Sequence, residues 1–270
     1  MKNSHSAGQF ELLGQRRFLP FFITQFFGAF NDNVYKNALI ILIAFQGSQF
    51  IETDADLLIN IAAAVFILPF FLFSATAGQW IEKYEKSRSI RIIKLCEVII
   101  MSIAAYAFVQ GYILMLILLL FLMGTQSTFF GPAKYSYIPQ HLLDTELVEG
   151  NALVQMGTFV AILLGTIIGG LMIAGTAGRY DVAVSIIAFA VAGYISSMFI
   201  PATPSINQDL KINWNFIAET YRNFKFLKTN RTVFLSVLGV SWFWFCLLYT
   251  SPSPRDQREH LVCRLLLEKV

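Results

Sequence analysis

The apolar residues of this chain fall into seven blocks, at 18–45, 57–77, 90–109, 112–130, 151–174, 181–200 and 232–248. Each is close to the ~20 residues that an α-helix needs to cross a hydrocarbon layer. In lipid a backbone must satisfy its own hydrogen bonds, and the helix does so within one segment. The blocks therefore predict an all-α membrane protein. Composition agrees: the chain is 56% hydrophobic and only 14% charged, where soluble domains run to about a quarter charged. That balance excludes a cytosolic enzyme core. The blocks predict a cytoplasmic N-terminus (1–17), a six-span bundle (18–200), a linker (201–231) and the start of a seventh span (232–245). Cys96, Cys246 and Cys263 are scattered, as are His5, His141 and His260, so neither a disulfide framework nor a metal site is expected. No cofactor is expected, and no nucleophile–base pair or phosphate loop points to catalysis.

Basic residues alternate from loop to loop. One side of the membrane would hold Lys2, Arg16 and Arg17, then Lys83, Lys86, Arg88, Arg91 and Lys94, then Lys134, then Lys211, Arg222, Lys225, Lys228 and Arg231. The intervening loops hold only Arg179. Cytoplasmic loops carry the excess of Lys and Arg, so this asymmetry places the N-terminus in the cytoplasm. The net charge of +3 is accounted for by contact with anionic headgroups, and no nucleic-acid partner is expected.

The first block contains Asn31, Asp32, Asn33, Lys36 and Asn37. A carboxylate or ammonium at the centre of a membrane helix costs about 2.5–3.5 kcal/mol on insertion scales, so it needs a reason. Asp32 with Lys36, and Asn33 with Asn37, are spaced i,i+4 and share a stripe of roughly 140°. Asp32 and Lys36 can then partly neutralise each other. The stripe is either a self-satisfied pair that fixes packing or a polar station for a zwitterionic ligand, with Gln126 of the fourth block as a further candidate. A third reading puts Lys36 nearer the interface. In the fifth block Gly157, Ala161, Gly165 and Gly169 recur every fourth residue. Such a seam allows close helix approach, either as static packing or as a moving interface with a second bundle.

Gly78, Glu82, Lys83 and Lys86 follow the second block, and this segment resembles the loop between the second and third spans of the major facilitator superfamily. Glu85 stands where that motif has its second glycine. The resemblance implies a conformational latch built on these four residues. Gly28-Ala29-Phe30-Asn31-Asp32-Asn33, Phe130-Gly131-Pro132-Ala133-Lys134-Tyr135 and Ala161-Ile162-Leu163-Leu164-Gly165 closely resemble segments of the bacterial lysophospholipid transporters of that superfamily. This similarity covers about 18–245. It implies the N-terminal six-helix bundle of a carrier that brings lysophosphatidylethanolamine and related lysolipids to the inner leaflet of a bacterial inner membrane for re-acylation. Its partners would be membrane lipids, a C-terminal six-helix bundle and, in fused relatives, an acyltransferase/acyl-ACP synthetase. A lysolipid has a zwitterionic head and one acyl chain, which suits a small polar station in an aromatic-rich cavity. Asp32 would meet the ammonium, and Asn33 and Asn37 the phosphate or glycerol oxygens. Two alternatives remain: the membrane module of a bifunctional acyltransferase, and a drug or metabolite exporter.

The run from Cys246 to Asp256 resembles translated sequencing-adapter read-through, so 246–270 are expected to be foreign to the fold and the chain to be the first half of a longer protein. Lys134 is expected to anchor at the interface or to pair with Asp144 or Glu146. Alternating access needs two bundles rocking about a central site. The 270-residue chain by itself is therefore expected to show no transport; lysolipid uptake above the empty-vector level in cells expressing only this chain would overturn that expectation.

Overall fold

The computed structural model describes residues 9–50, 55–205, 207–210, 212–213 and 215–250. Lys2, His5, Lys211 and the greater part of 246–270 thus lie outside the described residues. Among the described residues a short 3-10 helix, Gln9–Gly14, precedes eight α-helices: α1 (Leu19–Phe50), α2 (Ala55–Lys83), α3 (Lys86–Gln110), α4 (Ile113–His141), α5 (Leu147–Ala174), α6 (Gly178–Met198), α7 (Phe216–Leu227) and α8 (Arg231–Thr250). No strand occurs among the described residues. The chain divides into two compact units, Met1–Phe216 and Ile217–Val270.

Several helices outrun their apolar blocks, because hydropathy marks the lipid-facing stretch and not the end of hydrogen bonding. α2 runs on to Lys83 and α4 to His141, with Pro132 and Pro139 inside it. Among the described residues five helices are long and apolar enough to cross a membrane: Leu57–Lys83, Lys86–Gln110, Ile113–His141, Leu147–Ala174 and Gly178–Met198. α1 is not among them, although its 32 residues suffice in length. Its polar run lowers its hydropathy, and contacts with α5 and α6 supply protein surroundings that lipid cannot.

Tight helix contacts in the first unit depend on small residues. A methyl group added at Gly165 would lie 2.6 Å from the Phe30 carbonyl oxygen and 2.9 Å from the Asn33 Cβ. At Gly169 it would lie 2.6 Å from the Val34 oxygen, and at Gly157 2.7 Å from the Phe22 ring. Ala161, between them, is fully buried. The seam on α5 is thus occupied by α1, backbone against backbone. Gly124 does the same for α4, where an added Cβ would run into the Phe66 carbonyl oxygen one turn before Pro69 of α2. At the α3–α4 link Gly111 takes a left-handed φ of 74° and ends α3, its N–H bonding Phe108 O while the Tyr112 N–H bonds Ala107 O. Only Gly adopts this conformation freely.

One end of the bundle is stitched by polar contacts. Arg17 donates to the Glu146 carboxylate at 2.7 Å and to His141 O at 2.7 Å. Together with the Leu143 N–H, which contributes most, this bond holds the Glu146 carboxyl below its usual range. The segment after α6 straps across the ends of α2, α3 and α4: Lys86 N–H bonds Thr203 O, Asn207 N–H bonds Glu82 O, Asn213 N–H bonds the Gln79 side chain, and His141 Nε2 meets Thr203 Oγ1 at 2.7 Å. The first part of the expected linker is therefore ordered against the bundle. In the second unit α7 is a helix that the apolar blocks do not predict; its Glu219–Arg222 pair (2.8 Å) is one turn apart, and Asn230 Oδ1 caps α8 by accepting the Thr232 N–H at 3.1 Å.

The expected latch loop is mostly helix. Gly78, Glu82 and Lys83 lie in the last turns of α2, and only Tyr84 and Glu85 separate it from α3. Lys86 is fully buried, and its ammonium donates to Pro204 O at 3.3 Å. Glu85, in the place of the motif's second glycine, accepts the Thr203 N–H and the Ser87 hydroxyl. A β/extended backbone at Glu85 (φ −62°, ψ 127°) turns the chain without glycine.

A methyl group at Gly78 meets nothing within 4 Å. Gly78→Ala should leave thermal stability unchanged or raise it by about 0.5–1 kcal/mol, the helix-propensity difference. Gly165→Val should force α1 off α5 and cost about 3 kcal/mol or more, the upper end of the scale for overpacking a core. Thermal unfolding of the two purified variants checks the contrast.

Candidate functional site

The polar stripe of α1 splits among three neighbours. Asn33 and Asn37 face α5: Asn33 donates to Ala29 O at 2.7 Å, its Cβ lying against the Gly165 seam, and Asn37 donates to Asn33 O at 2.9 Å and Thr166 Oγ1 at 3.2 Å. Asp32 and Lys36 turn to α4 and α2. The Asp32 carboxylate accepts the Ser127 hydroxyl at 2.8 Å, and the Lys36 ammonium sits 4.5 Å from the centre of the Phe66 ring. No Asp32–Lys36 ion pair forms, although the i,i+4 spacing permits one. Each side chain instead turns to a different helix, Lys36 gaining the face of an aromatic ring.

Behind Asp32 lies a network that the sequence reasoning missed. Lys94 and Glu97, one turn apart on α3, form an ion pair of 2.6 Å, and both side chains are only 1% exposed. Glu97 also accepts the side-chain amides of Gln126 at 3.0 Å and Asn31 at 3.3 Å. Gln126 Oε1 lies 3.1 Å from the Ser127 hydroxyl, which closes the circuit Asp32–Ser127–Gln126–Glu97–Asn31. The run of basic residues assigns Lys94 to a cytoplasmic loop. The structure corrects this, so Lys94 leaves the positive-inside count. The signal that would have found the pair is Glu97, a carboxylate inside the apolar block 90–109 and three residues after a lysine.

Small residues make room for this lysine. A methyl group at Gly28 of α1 would lie 2.5 Å from its nitrogen, and one at Gly193 of α6 3.6 Å. Phe130 lies 5.4 Å from the ammonium. Lys134 bonds Thr158 Oγ1 at 2.9 Å and not Asp144 or Glu146; Glu146 is engaged by Arg17.

Two acidic and two basic side chains, Asp32, Glu97, Lys36 and Lys94, balance within the first unit. The hydrogen bonds do not balance. Asp32 Oδ1 and Asn31 Oδ1 are buried without a donor, and an unmet buried acceptor costs about 1–3 kcal/mol, more when charged. The arrangement can therefore take up a hydrogen-bond donor or a cationic group beside Asp32. Among the described residues no cluster of His, Cys, Asp and Glu suits a metal ion.

An all-helical fold with membrane-crossing helices and a charged interior defines a polytopic membrane protein built around a polar centre. The sequence profile of the Major Facilitator Superfamily matches residues 21–259, and the chain belongs to that superfamily. The match continues past 246, where the foreign tail was expected to begin. The chain is similar to the lysophospholipid transporter LplT of Photorhabdus laumondii, 26% identical over 229 residues that cover 82% of this chain and 52% of the relative. It is similar to those of Cronobacter sakazakii (26% over 239 residues; 86% and 55%) and Escherichia coli O1:K1 / APEC (26% over 232 residues; 82% and 53%). The chain spans about half the length of these curated relatives. No solved structure matches.

Truncating Glu97 strands a buried ammonium. Glu97→Ala should destabilise the protein by about 3–5 kcal/mol, and Lys94→Met combined with Glu97→Leu should recover much of that loss. A double-mutant cycle of thermal unfolding in detergent measures both.

Proposed function

We propose that this chain forms the N-terminal half of a carrier that moves lysophospholipids such as lysophosphatidylethanolamine across the bacterial inner membrane, for re-acylation on the cytoplasmic side. The observation that carries the reading is the unpartnered buried oxygen of Asp32, near the middle of a long helix and flanked by Ser127. The ammonium of a zwitterionic headgroup supplies the hydrogen-bond donor that this oxygen lacks. Lys36, its ammonium 4.5 Å from the centre of the Phe66 ring, offers a cation to the phosphate. Asn33 and Asn37 play a lesser part than their spacing suggests, since their amides already bond helix carbonyls.

The names of the relatives support the same substrate class. In this reading a second six-helix bundle completes the cavity and the N-terminus is cytoplasmic. The orientation rests on the basic residues near the α2–α3 link and Arg17, set against Arg179 at the other end. The first-unit seam is taken up by α1, so rocking would use other faces of α5 than Gly157, Gly165 and Gly169.

The test is uptake of labelled lysophosphatidylethanolamine by spheroplasts of a transport-deficient strain carrying the full-length gene that contains this chain. Asp32→Ala should lower uptake at least about tenfold, the equivalent of ~1.4 kcal/mol. Uptake equal to empty vector for the wild type, or undiminished by Asp32→Ala, overturns the proposal.

A further inference from the structure

α2 and α3 are joined by two residues yet diverge, because α2 lies along α4 while α3 lies along α6 and α4. The divergence leaves a groove of about 450 Å³, walled by Trp80 of α2, Ile93 and Cys96 of α3, and Leu122 and Phe129 of α4. Its rim residues Ile92, Ile99 and Leu122 are exposed on helices of membrane-crossing length. A ligand reaching this rim comes from hydrocarbon, not from water. Ser89, Thr125 and Gln126 also line the groove, and Gln126 leads inward: it donates to Glu97 and lies within hydrogen-bond distance of Ser127, the partner of Asp32.

We propose that this groove holds the single acyl chain of a lysophospholipid, with its polar end at Gln126. The proposal rests on the transport reading above and adds the place where the tail lodges. Three observations combine. The surface that the walls expose is almost wholly apolar, as a hydrocarbon tail requires. The volume is at the lower end of the range for single-ligand pockets, which suits one chain and not the two of a bilayer phospholipid. Gln126 belongs to the same hydrogen-bonded circuit as Asp32, which links the groove to the polar centre. A diacyl lipid merely coating the protein has no use for Gln126.

The test uses the full-length protein that contains this chain, in nanodiscs of diacyl phosphatidylethanolamine, with lysophosphatidylethanolamine carrying a diazirine in mid-chain. After irradiation, peptide mapping should place the label on 89–100 and 122–129. Excess unlabelled lysophosphatidylethanolamine should reduce it at least about tenfold, and a diacyl probe with the same diazirine should label these segments at about a tenth of that level or less. Cys96→Trp, which fills the groove from its exposed side, should cut labelling by a similar factor; the competition result on the wild type stands without any variant. Labelling elsewhere, labelling that does not saturate, equal labelling by the diacyl probe, or undiminished labelling of a folded Cys96→Trp protein overturns the proposal. If such a result comes with uptake that still needs Asp32, the groove falls and the transport reading stands. Saturable labelling in the groove without any uptake supports the groove as a lysolipid site and overturns the transport reading.

Discussion

A charged side chain inside a helix bundle in lipid has no water to turn to, so its partner must be built into the protein. Lys94 and Glu97 meet that demand at 2.6 Å, and much of the first unit is arranged around them. Gly28 and Gly193 leave the lysine its slot from α1 and α6, and Asn31 and Gln126 bring amides to the glutamate from α1 and α4. Four helices thus converge on one ion pair. Such a pair adds little net stability over an apolar replacement, but a mispacked bundle would strand one of its charges, and that penalises the alternatives.

The second constraint is distance between backbones. α1 can carry five polar residues and still lie inside because α5 presents glycines to it, so the two helices meet at backbone contact and their dispersion contacts replace a hydrophobic force that lipid does not supply. The two constraints share α1. Its Gly28 side meets Lys94, its Asp32 side meets α4, and its Asn33 side meets the seam. Fixing three sides of one helix also fixes the geometry of the polar centre.

Much of this architecture was legible in the sequence. The apolar blocks gave the helical class and the order of the helices, and the four-residue spacing from Gly157 to Gly169 gave a close-packing face. What the sequence left open was which surface each feature meets. The seam suited two partners, and only the fold shows that α1 takes it. The i,i+4 spacing of Asp32 and Lys36 suggested a pair, but Ser127 and Phe66, distant in sequence, compete successfully. Lys94 was misplaced because it follows a run of loop-like basic residues, and hydropathy cannot distinguish a lysine facing headgroups from one buried against a glutamate a turn away. α7 was missed because a helix of 12 residues with mixed polarity resembles a linker when only membrane-length blocks are counted.

Ser127 connects the structural and the available parts of the network. Its hydroxyl has one hydrogen and two acceptors within reach, Asp32 at 2.8 Å and Gln126 at 3.1 Å. Whichever it serves, the other goes without, and Asn31 Oδ1 and Asp32 Oδ1 already lack donors. As these side chains are arranged, the circuit leaves two buried oxygens without a donor. The shortage falls on the Asp32 side, while Glu97 is satisfied by an ammonium and two amides. A buried acceptor left unmet in an otherwise well-bonded interior requires an explanation. The asymmetry supplies one: the carboxylate that holds the helices together is saturated, and the one that is not saturated is free to receive a donor from outside the chain.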